Sequence, residues 1–169
     1  AVSKGDFAWM AVSWDFGKTV GWHIKEGRDF SRNFPTDTSA YIVNEAAVKF
    51  MGLKNPVGKI IKEDGVPHRI VGVADDMVME SPYKPVSQTI FALNSYSHGT
   101  IDVRINPSVN THEAMAKIKK VFEKYNPAQP FEYNFIDEEY GKKFSDEERI
   151  GKLAGIFAGL AIFISCLGL

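Results

Sequence analysis

The sequence has very little cysteine. Cys166 is the only one among 169 residues, so no disulfide can form within the chain and no metal site with several cysteine ligands can exist. This residue lies in the most apolar segment, where a thiol behaves as a small hydrophobic group. Cysteine content therefore does not reveal the compartment in which the protein works.

The sequence also lacks an excess of charge of either sign. Its 20 Lys and Arg residues balance 21 Asp and Glu residues, which leaves a net charge of −1 at pH 7. Nothing in this balance points to a nucleic-acid partner. The first residues contain no basic stretch followed by an apolar one, so we expect no signal peptide here. If the domain works outside the cytoplasm, another segment must carry it there.

Catalytic and metal-binding motifs are missing too. Gly17-Lys18-Thr19 resembles the end of a phosphate-binding loop, but Val12 stands where that motif needs a glycine. Asp75 and Asp76 are adjacent, and adjacent side chains on an extended chain point apart, which makes them a poor acid–base pair. The histidines show no metal-ligand spacing; they are His23, His68, His98 and His112. We therefore expect no enzyme activity, no metal and no cofactor.

The first hundred residues alternate short strands with helical turns. Asn44 is suited to begin a helix and Gly52 to end it, and Glu63-Asp64-Gly65 predicts a hairpin turn. Residues 15–20 predict a helical turn, and 33–39 a polar loop. The predicted strands are 7–14, 41–43, 59–62, 67–73 and 89–93.

Residues after Gly99 follow a strand–helix–strand order. Alternation predicts strands at 101–105 and 131–135, and Asn110 with Glu113 forms a capping box before a helix that reaches Tyr125. This unit would be half of a ferredoxin-like sandwich. Its first strand and helix would be missing, and the open strand edge would favour pairing with another copy.

The C-terminal segment changes from charged to apolar. Residues 137–149 predict a charged amphipathic helix, and no charged residue occurs from Leu153 to Leu169. A membrane-spanning helix needs roughly 17–25 residues of this kind. Small residues suit close helix packing within a membrane; they are Gly155, Ala158, Gly159 and Ala161. We interpret 150–169 as the start of a transmembrane helix; a buried core helix is the alternative.

Four short blocks follow one another in the first half of the chain. They are Gly27-Arg28-Asp29-Phe30-Ser31, Ile42-Val43-Asn44-Glu45-Ala46-Ala47, Asn55-Pro56-Val57-Gly58-Lys59 and Ile70-Val71-Gly72-Val73. In this order they resemble the MacB-like periplasmic core domain of MacB/FtsX-type ABC-transporter permeases, in the variant found in Bacteroidetes. The closing apolar stretch looks like the beginning of the transmembrane helix that follows this domain.

The resemblance implies an α+β periplasmic domain with two lobes. A mixed α/β insertion lobe would cover about 28–94 and a partial ferredoxin-like lobe about 100–136, followed by a stalk helix at 137–149 and the membrane segment at 150–169. The permease would lie in the inner membrane as a dimer, with a cytoplasmic ABC ATPase as partner. ATP hydrolysis would drive the periplasmic lobes through the stalk, a mechanism called mechanotransmission.

Contact with cargo or with a periplasmic partner is expected at the loop from Asp76 to Pro85. Met77, Met79 and Tyr83 are the candidate contact residues, because methionine suits an adaptable surface. In the family, cargo includes peptides, antibiotics and lipoproteins. Two alternatives stay open: a peptide- or ligand-binding module without a transport role, and a membrane-anchored hydrolase.

Overall fold

The computed structural model describes residues 6–77, 85–94 and 99–168 of the chain, and only the backbone of residues 140 and 142–149. The chain divides into two compact units, Ala1–Asn106 and Pro107–Leu169. They are called unit 1 and unit 2 below.

Unit 1 is built on a mixed sheet. Within the described residues the order is β1-β6-β3-β5-β2, and β4 pairs with the other end of β5. β1 is parallel to β6 and β3 is parallel to β5, whereas the other pairs are antiparallel. The strands are β1 Ala8–Val12, β2 Ile24–Gly27, β3 Ala40–Asn44, β4 Ile60–Glu63, β5 Val66–Ala74 and β6 Thr89–Leu93.

Both faces of this sheet are covered. α1 (Phe16–Val20) lies beside the β2 segment, and α2 (Glu45–Met51) follows β3. Every residue of β3 is buried, as expected for a strand that has packed layers on both sides. One cluster, on the α2 face, contains Tyr41, Val43, Ala47, Ile70, Val73, Ile90 and Ala92. The other, on the opposite face, contains Val12, Phe30, Ile42, Ala74 and Phe91.

The local signals of the sequence are confirmed in unit 1. The side chain of Asn44 accepts a hydrogen bond from the N–H of Ala47 at 2.9 Å and so caps α2. Gly52 ends that helix in the left-handed region, with φ 62°. Asp64 and Gly65 both have positive φ, 46° and 85°, as a two-residue hairpin turn requires.

Two elements of unit 1 differ from the prediction. β2 was not predicted, because Ile24–Gly27 is mostly exposed and shows no alternation. The loop predicted at 33–39 contains a 3₁₀ helix, Pro35–Ser39. This turn forms because its Asp37 is fully buried and hydrogen-bonded.

Unit 2 contains two helices, α3 (Thr111–Tyr125) and α4 (Ile136–Cys166). The side chain of Asn110 accepts hydrogen bonds from the N–H groups of His112 and Glu113 at 2.9 and 3.4 Å, which confirms the predicted cap. α3 has no buried residue. α4 runs without a break through the predicted stalk at 137–149.

The strands predicted at 101–105 and 131–135 are wrong for this structure: neither segment is paired in a sheet. Apolar and polar residues alternate in the sequence of both segments, but a strand also needs a neighbouring backbone for its hydrogen bonds. No described residue supplies one. Phe131, Tyr133 and Phe135 instead form a row of ring contacts 5.6 Å apart.

Within the described residues, none of the helices combines the length and the apolar character that crossing a lipid bilayer requires. The structure thus does not confirm the transmembrane segment predicted at 150–169.

Candidate partner-contact surface

The predicted contact residues follow β5. Met77 is half-buried and packs against the core cluster that contains Val12 and Phe91, whereas the sequence suggested an exposed side chain. Met79 and Tyr83 lie outside the described residues. Of the three candidates, the structure thus places one, and that one contributes to the core.

The segment that carries these residues leaves the sheet from an anchored point. Lys25 Nζ lies 2.8 Å from Oε1 of Glu45 and 3.4 Å from Oδ1 of Asp75. The hydrogen bond to Glu45 is the main reason why the pKa of Lys25 is raised. Asp76 accepts a hydrogen bond from the N–H of Ala46 at 2.9 Å. Asp75 and Asp76 thus hold the end of β5 to its neighbours and do not act as a pair.

Arg28, in the block that begins at Gly27, forms a partly buried ion pair with Asp37. We call this pair and its neighbours the arginine clasp (Arg28, Ser31, Phe34 and Asp37). Arg28 donates through Nη1 and Nη2 to the two carboxylate oxygens of Asp37 at 2.6 and 2.7 Å. The N–H of Ser31 donates to the same carboxylate at 3.0 Å. The ring of Phe34 lies 3.9 Å from Cζ of Arg28.

Opposing effects act on the carboxyl group of the clasp. Burial alone would raise the pKa of Asp37, but the hydrogen bonds from Arg28 and Ser31 outweigh it and lower the pKa below its ordinary value. Asp37 is therefore an ionised group, held by a two-pronged guanidinium contact that resists rotation. Such a clasp fixes the connection between β2 and β3.

Asp29, the neighbour of Arg28, holds side chains that pack on the sheet face opposite α2. Its Oδ2 accepts from Nε1 of Trp22 at 3.0 Å, and its Oδ1 accepts from the N–H of Phe30 at 2.7 Å. Any side chain at Gly17 would collide with Trp22 and Asp29. The glycine of Gly17-Lys18-Thr19 is thus needed for packing in α1.

A shallow groove of about 450 Å³ lies where three sequence blocks meet. Arg28 donates its N–H to the carbonyl of Val71 at 3.0 Å, and Gly58 donates to Ile70 at 2.8 Å. A side chain at Gly27 would meet the carbonyl of Val71. The lining residues are Gly27, Arg28, Val57, Gly58, Arg69, Ile70 and Val71. The glycines were visible in the sequence, but their convergence on β5 was not.

An aromatic cluster on the α2 face was missed by sequence reasoning. The ring of His68 stacks on Tyr41 at 4.1 Å, and Trp9 meets Tyr41 edge-on at 5.1 Å. The hydroxyl of Tyr41 donates to Glu63 at 2.5 Å. Burial, reinforced by Glu63, raises the pKa of Tyr41, so its hydroxyl stays a donor. Trp9 is 46% exposed, which leaves an aromatic surface beside β1.

These sites offer contacts for binding and for support of the fold. Among the described residues, no group of three or more His, Cys, Asp or Glu side chains could hold a metal ion. The arginine clasp is internally neutralised, and the aromatic cluster presents rings at the sheet edge. The arrangement fits a rigid body with surfaces for macromolecular contact.

The part of the chain that matches known proteins includes all four blocks. Residues 2–121 match the model of the MacB-like periplasmic core domain family. The periplasmic region of MacB from Actinobacillus actinomycetemcomitans superimposes with a TM-score of 0.54 at 19% identity, covering 70% of this chain and 56% of that one. A domain of a putative permease protein from Porphyromonas gingivalis gives 0.47 at 16% identity, covering 78% and 70%. No curated protein matches the chain.

The likeness to the MacB periplasmic region concerns the fold: a mixed sheet with helices, as predicted for the α+β class. The chain spans little more than half the length of that region.

Proposed function

This chain belongs to the family of MacB-like periplasmic core domains, and we propose that it works as the extracytoplasmic domain of an ABC-transporter permease in the inner membrane. Its role is to pass the motion of a cytoplasmic ATPase to a periplasmic cargo or partner. The family match over residues 2–121 carries this proposal. We propose no catalytic role for the domain.

The build of unit 1 supports a mechanical role. A domain that transmits force must move as one body, and this requires a packed interior and fixed connections. The sheet of unit 1 is covered on both faces, and the arginine clasp ties Arg28 to Asp37 across the β2–β3 connection. The anchor at Lys25 fixes the end of β5 in the same way.

α4 is the proposed lever. The helix from Ile136 to Cys166 has 31 residues. At 1.5 Å per residue it is about 46 Å long, enough to carry a displacement over the length of a small domain. Its first turn contains Asp137, Glu138 and Glu139, whose negative charge stabilises a helix N-terminus. A lever of this kind works only while it stays helical.

Breaking the lever tests the proposal in the full-length permease with its ATPase in lipid nanodiscs. Seven Gly and Ser residues are inserted after Gly151, and seven alanines at the same point serve as the control. Seven alanines add nearly two whole turns and keep the helix in phase. The readout is the change in amide hydrogen exchange of unit 1 when ATP and vanadate are added, with ATPase turnover measured alongside.

We expect the flexible insert to abolish the exchange response to nucleotide while ATPase turnover continues. The alanine insert should keep most of the response. Equal responses in both variants would show that α4 does not transmit the motion. A domain that never responds to nucleotide would fit the alternative role, a peptide- or ligand-binding module without transport, for which the groove beside Arg69 is the natural place.

A further inference from the structure

The groove beside Arg69 lies at an irregular point of β5. The pairing of β5 with β3 passes from Ile70 to Gly72 and leaves Val71 as an extra residue, a β-bulge. Two successive carbonyls of β5 therefore point to the same side. Ile70 accepts from the N–H of Gly58 at 2.8 Å, and Val71 accepts from the N–H of Arg28 at 3.0 Å. Two chain segments thus meet β5 at neighbouring residues, and both line the groove.

The groove has an apolar lining and room for a ligand. The side chains of Val57 and Val71 contribute to the lining, and Val57 is 40% exposed. A side chain built at Gly58 would meet no atom of the described residues within 4 Å, so the space beside it is open. The volume of about 450 Å³ falls within the range of small-ligand sites in proteins, about 300–1,000 Å³.

Positive charge borders the groove on the same face of the sheet. Arg69 lines it and lies opposite Ile60 of β4. Lys62, two residues after Ile60, is diagonal to Arg69 at about 7–8 Å. Both cations are exposed, and neither pairs with a carboxylate in the part of the chain that the structure describes. Arg28 differs, because Asp37 neutralises it. The groove therefore attracts an anion.

The donors of the groove favour a carboxylate over a phosphate. Phosphate sites commonly use several free backbone N–H groups. Here the N–H groups of Arg28 and Gly58 are already bonded to β5. The guanidinium of Arg69 offers a planar fork, which matches the two oxygens of a carboxylate with two parallel hydrogen bonds.

We propose that this groove binds the C-terminal end of another polypeptide, one whose last residue is aliphatic. The terminal carboxylate pairs with Arg69, and the aliphatic side chain lies against Val57 and Val71. Arg69 and Val71 are two residues apart on β5, at most about 7 Å. One C-terminal residue spans this distance, because its carboxylate and its side chain are attached to the same Cα atom.

Other carboxylates fit the groove less well. The long alkyl chain of a fatty acid would extend out of a shallow groove into water, at a cost in hydrophobic free energy. An acidic residue inside a peptide would need a second, aliphatic residue for the apolar lining. Fixing two residues costs more conformational entropy than fixing one. The proposal goes beyond the mechanical role of the domain, and nothing in it depends on α4.

Amide chemical shifts test the site in the whole chain, isotope-labelled and kept in mild detergent. The probe is the peptide acetyl-Ala-Ala-Leu with a free carboxyl end, and the same peptide with a C-terminal amide is its control. The signals followed are those of Gly27 and Gly58, because both line the groove and glycine amides resonate apart from most others.

We expect the free acid to shift both signals saturably and the amide to bind at least about ten-fold more weakly. Arg69→Gln should weaken binding of the acid by a similar factor. Arg69→Lys should weaken it less, because lysine keeps the charge but not the fork. Arg32→Gln is the matched control. Arg32 is also exposed, but it pairs with Asp15 and does not line the groove, so the affinity should not change.

Equal affinities for acid and amide, equal losses in Arg69→Gln and Arg32→Gln, or no saturable shift at Gly27 and Gly58 would overturn the proposal. Should Arg69→Gln not fold, Val57→Asp makes the same test, since a negative charge in the groove should abolish binding of the acid. Inorganic phosphate, or an amidated peptide with an internal glutamate, that binds as tightly as the free acid would overturn the choice of a chain end. No ATPase is needed, so failure here leaves the transport proposal unaffected, and failure of the lever test leaves this site unaffected.

Discussion

Units 1 and 2 contain similar apolar patterns but bury them very differently. Ile42 and Ile70 of unit 1 are completely buried within the sheet. In unit 2, α3 has an apolar stripe but no buried residue, and the apolar part of α4 is exposed from Ile150 onward. A pattern of apolar residues therefore predicts which face an element can bury; a second layer decides whether that face is buried.

The largest expected effect separates two isoleucines. Ile42→Ala removes a fully buried side chain from β3, and we expect it to lower the free energy of unfolding by about 2–5 kcal/mol. Ile136→Ala, at the start of α4, changes a side chain that is 68% exposed and should stay within about 0.5 kcal/mol. Urea unfolding of both variants, followed by circular dichroism, measures the two values.

A loss above about 1 kcal/mol for Ile136→Ala would show that unit 2 is packed in solution in a way that reduces the contrast with unit 1. Both units would then have packed side chains, and they would differ only in how tightly these are packed.

This contrast also explains what the sequence could and could not predict. The caps at Asn44 and Asn110 and the turn at Asp64-Gly65 depend on a few adjacent residues, and all were predicted. The strands at 101–105 and 131–135 depend on a partner that the pattern does not contain, and both predictions were wrong. Asp37 was assigned to a loop because its partner, Arg28, lies nine residues earlier in the chain.

The candidate surface follows the same division. The block at Gly27 was recognised as a family likeness, but the sequence did not show that Arg28, Val57 and Val71 would meet in one groove. The stacking of Tyr41 on His68 depends on the alignment of β3 with β5, which no local pattern fixes. Met77 was predicted as a contact residue of the loop from Asp76 to Pro85, and the core cluster against which it packs is formed by strands that are distant in the sequence.

Ion pairs make the second comparison. Asp37→Asn leaves the arginine clasp without its charge, and we expect a loss of about 2–3 kcal/mol, because Asp37 is buried and Arg28 is partly exposed. Glu123→Gln breaks an exposed pair with Lys119 in α3, whose charged atoms are 3.7 Å apart, and should cost about 0.2–0.5 kcal/mol. Urea unfolding gives both values. Similar losses of stability in the two variants would mean that the ion pair of the clasp is as exposed to solvent as the Lys119–Glu123 pair of α3.

Helix caps make the third comparison, since each unit uses an asparagine. Asn44 is buried; its Oδ1 accepts from Ala47 and Thr89, and its Nδ2 donates to Ser87. We expect Asn44→Ala to cost about 2 kcal/mol, because it leaves buried polar groups without partners. Asn110 caps an exposed helix, and Asn110→Ala should cost about 0.5–1 kcal/mol.

Thermal melting of the two alanine variants measures this difference. Asn44→Asp and Asn110→Asp sharpen it, because aspartate keeps the capping oxygen but loses the amide donor. Only the Asn44 site uses that donor, so only Asn44→Asp should melt at a lower temperature. A drop of equal size at Asn110 would contradict the assignment of the contacts.

The smallest expected effect is the narrowing, between pH 7 and pH 3, of the stability loss that Asp37→Asn causes. The pKa of Asp37 is lower in the folded chain than its ordinary value of 3.8, so the unfolded chain binds a proton first as the pH falls. The clasp therefore stabilises the fold fully above that value, and its contribution declines as the pH falls through the folded pKa. Melting temperatures of the original chain and Asp37→Asn, measured between pH 7 and pH 3, should move closer together toward the acid end. A gap that stays constant over this range would show that the charge of Asp37 contributes nothing beyond the shape of its side chain, and the clasp would then be a packing contact like those around it.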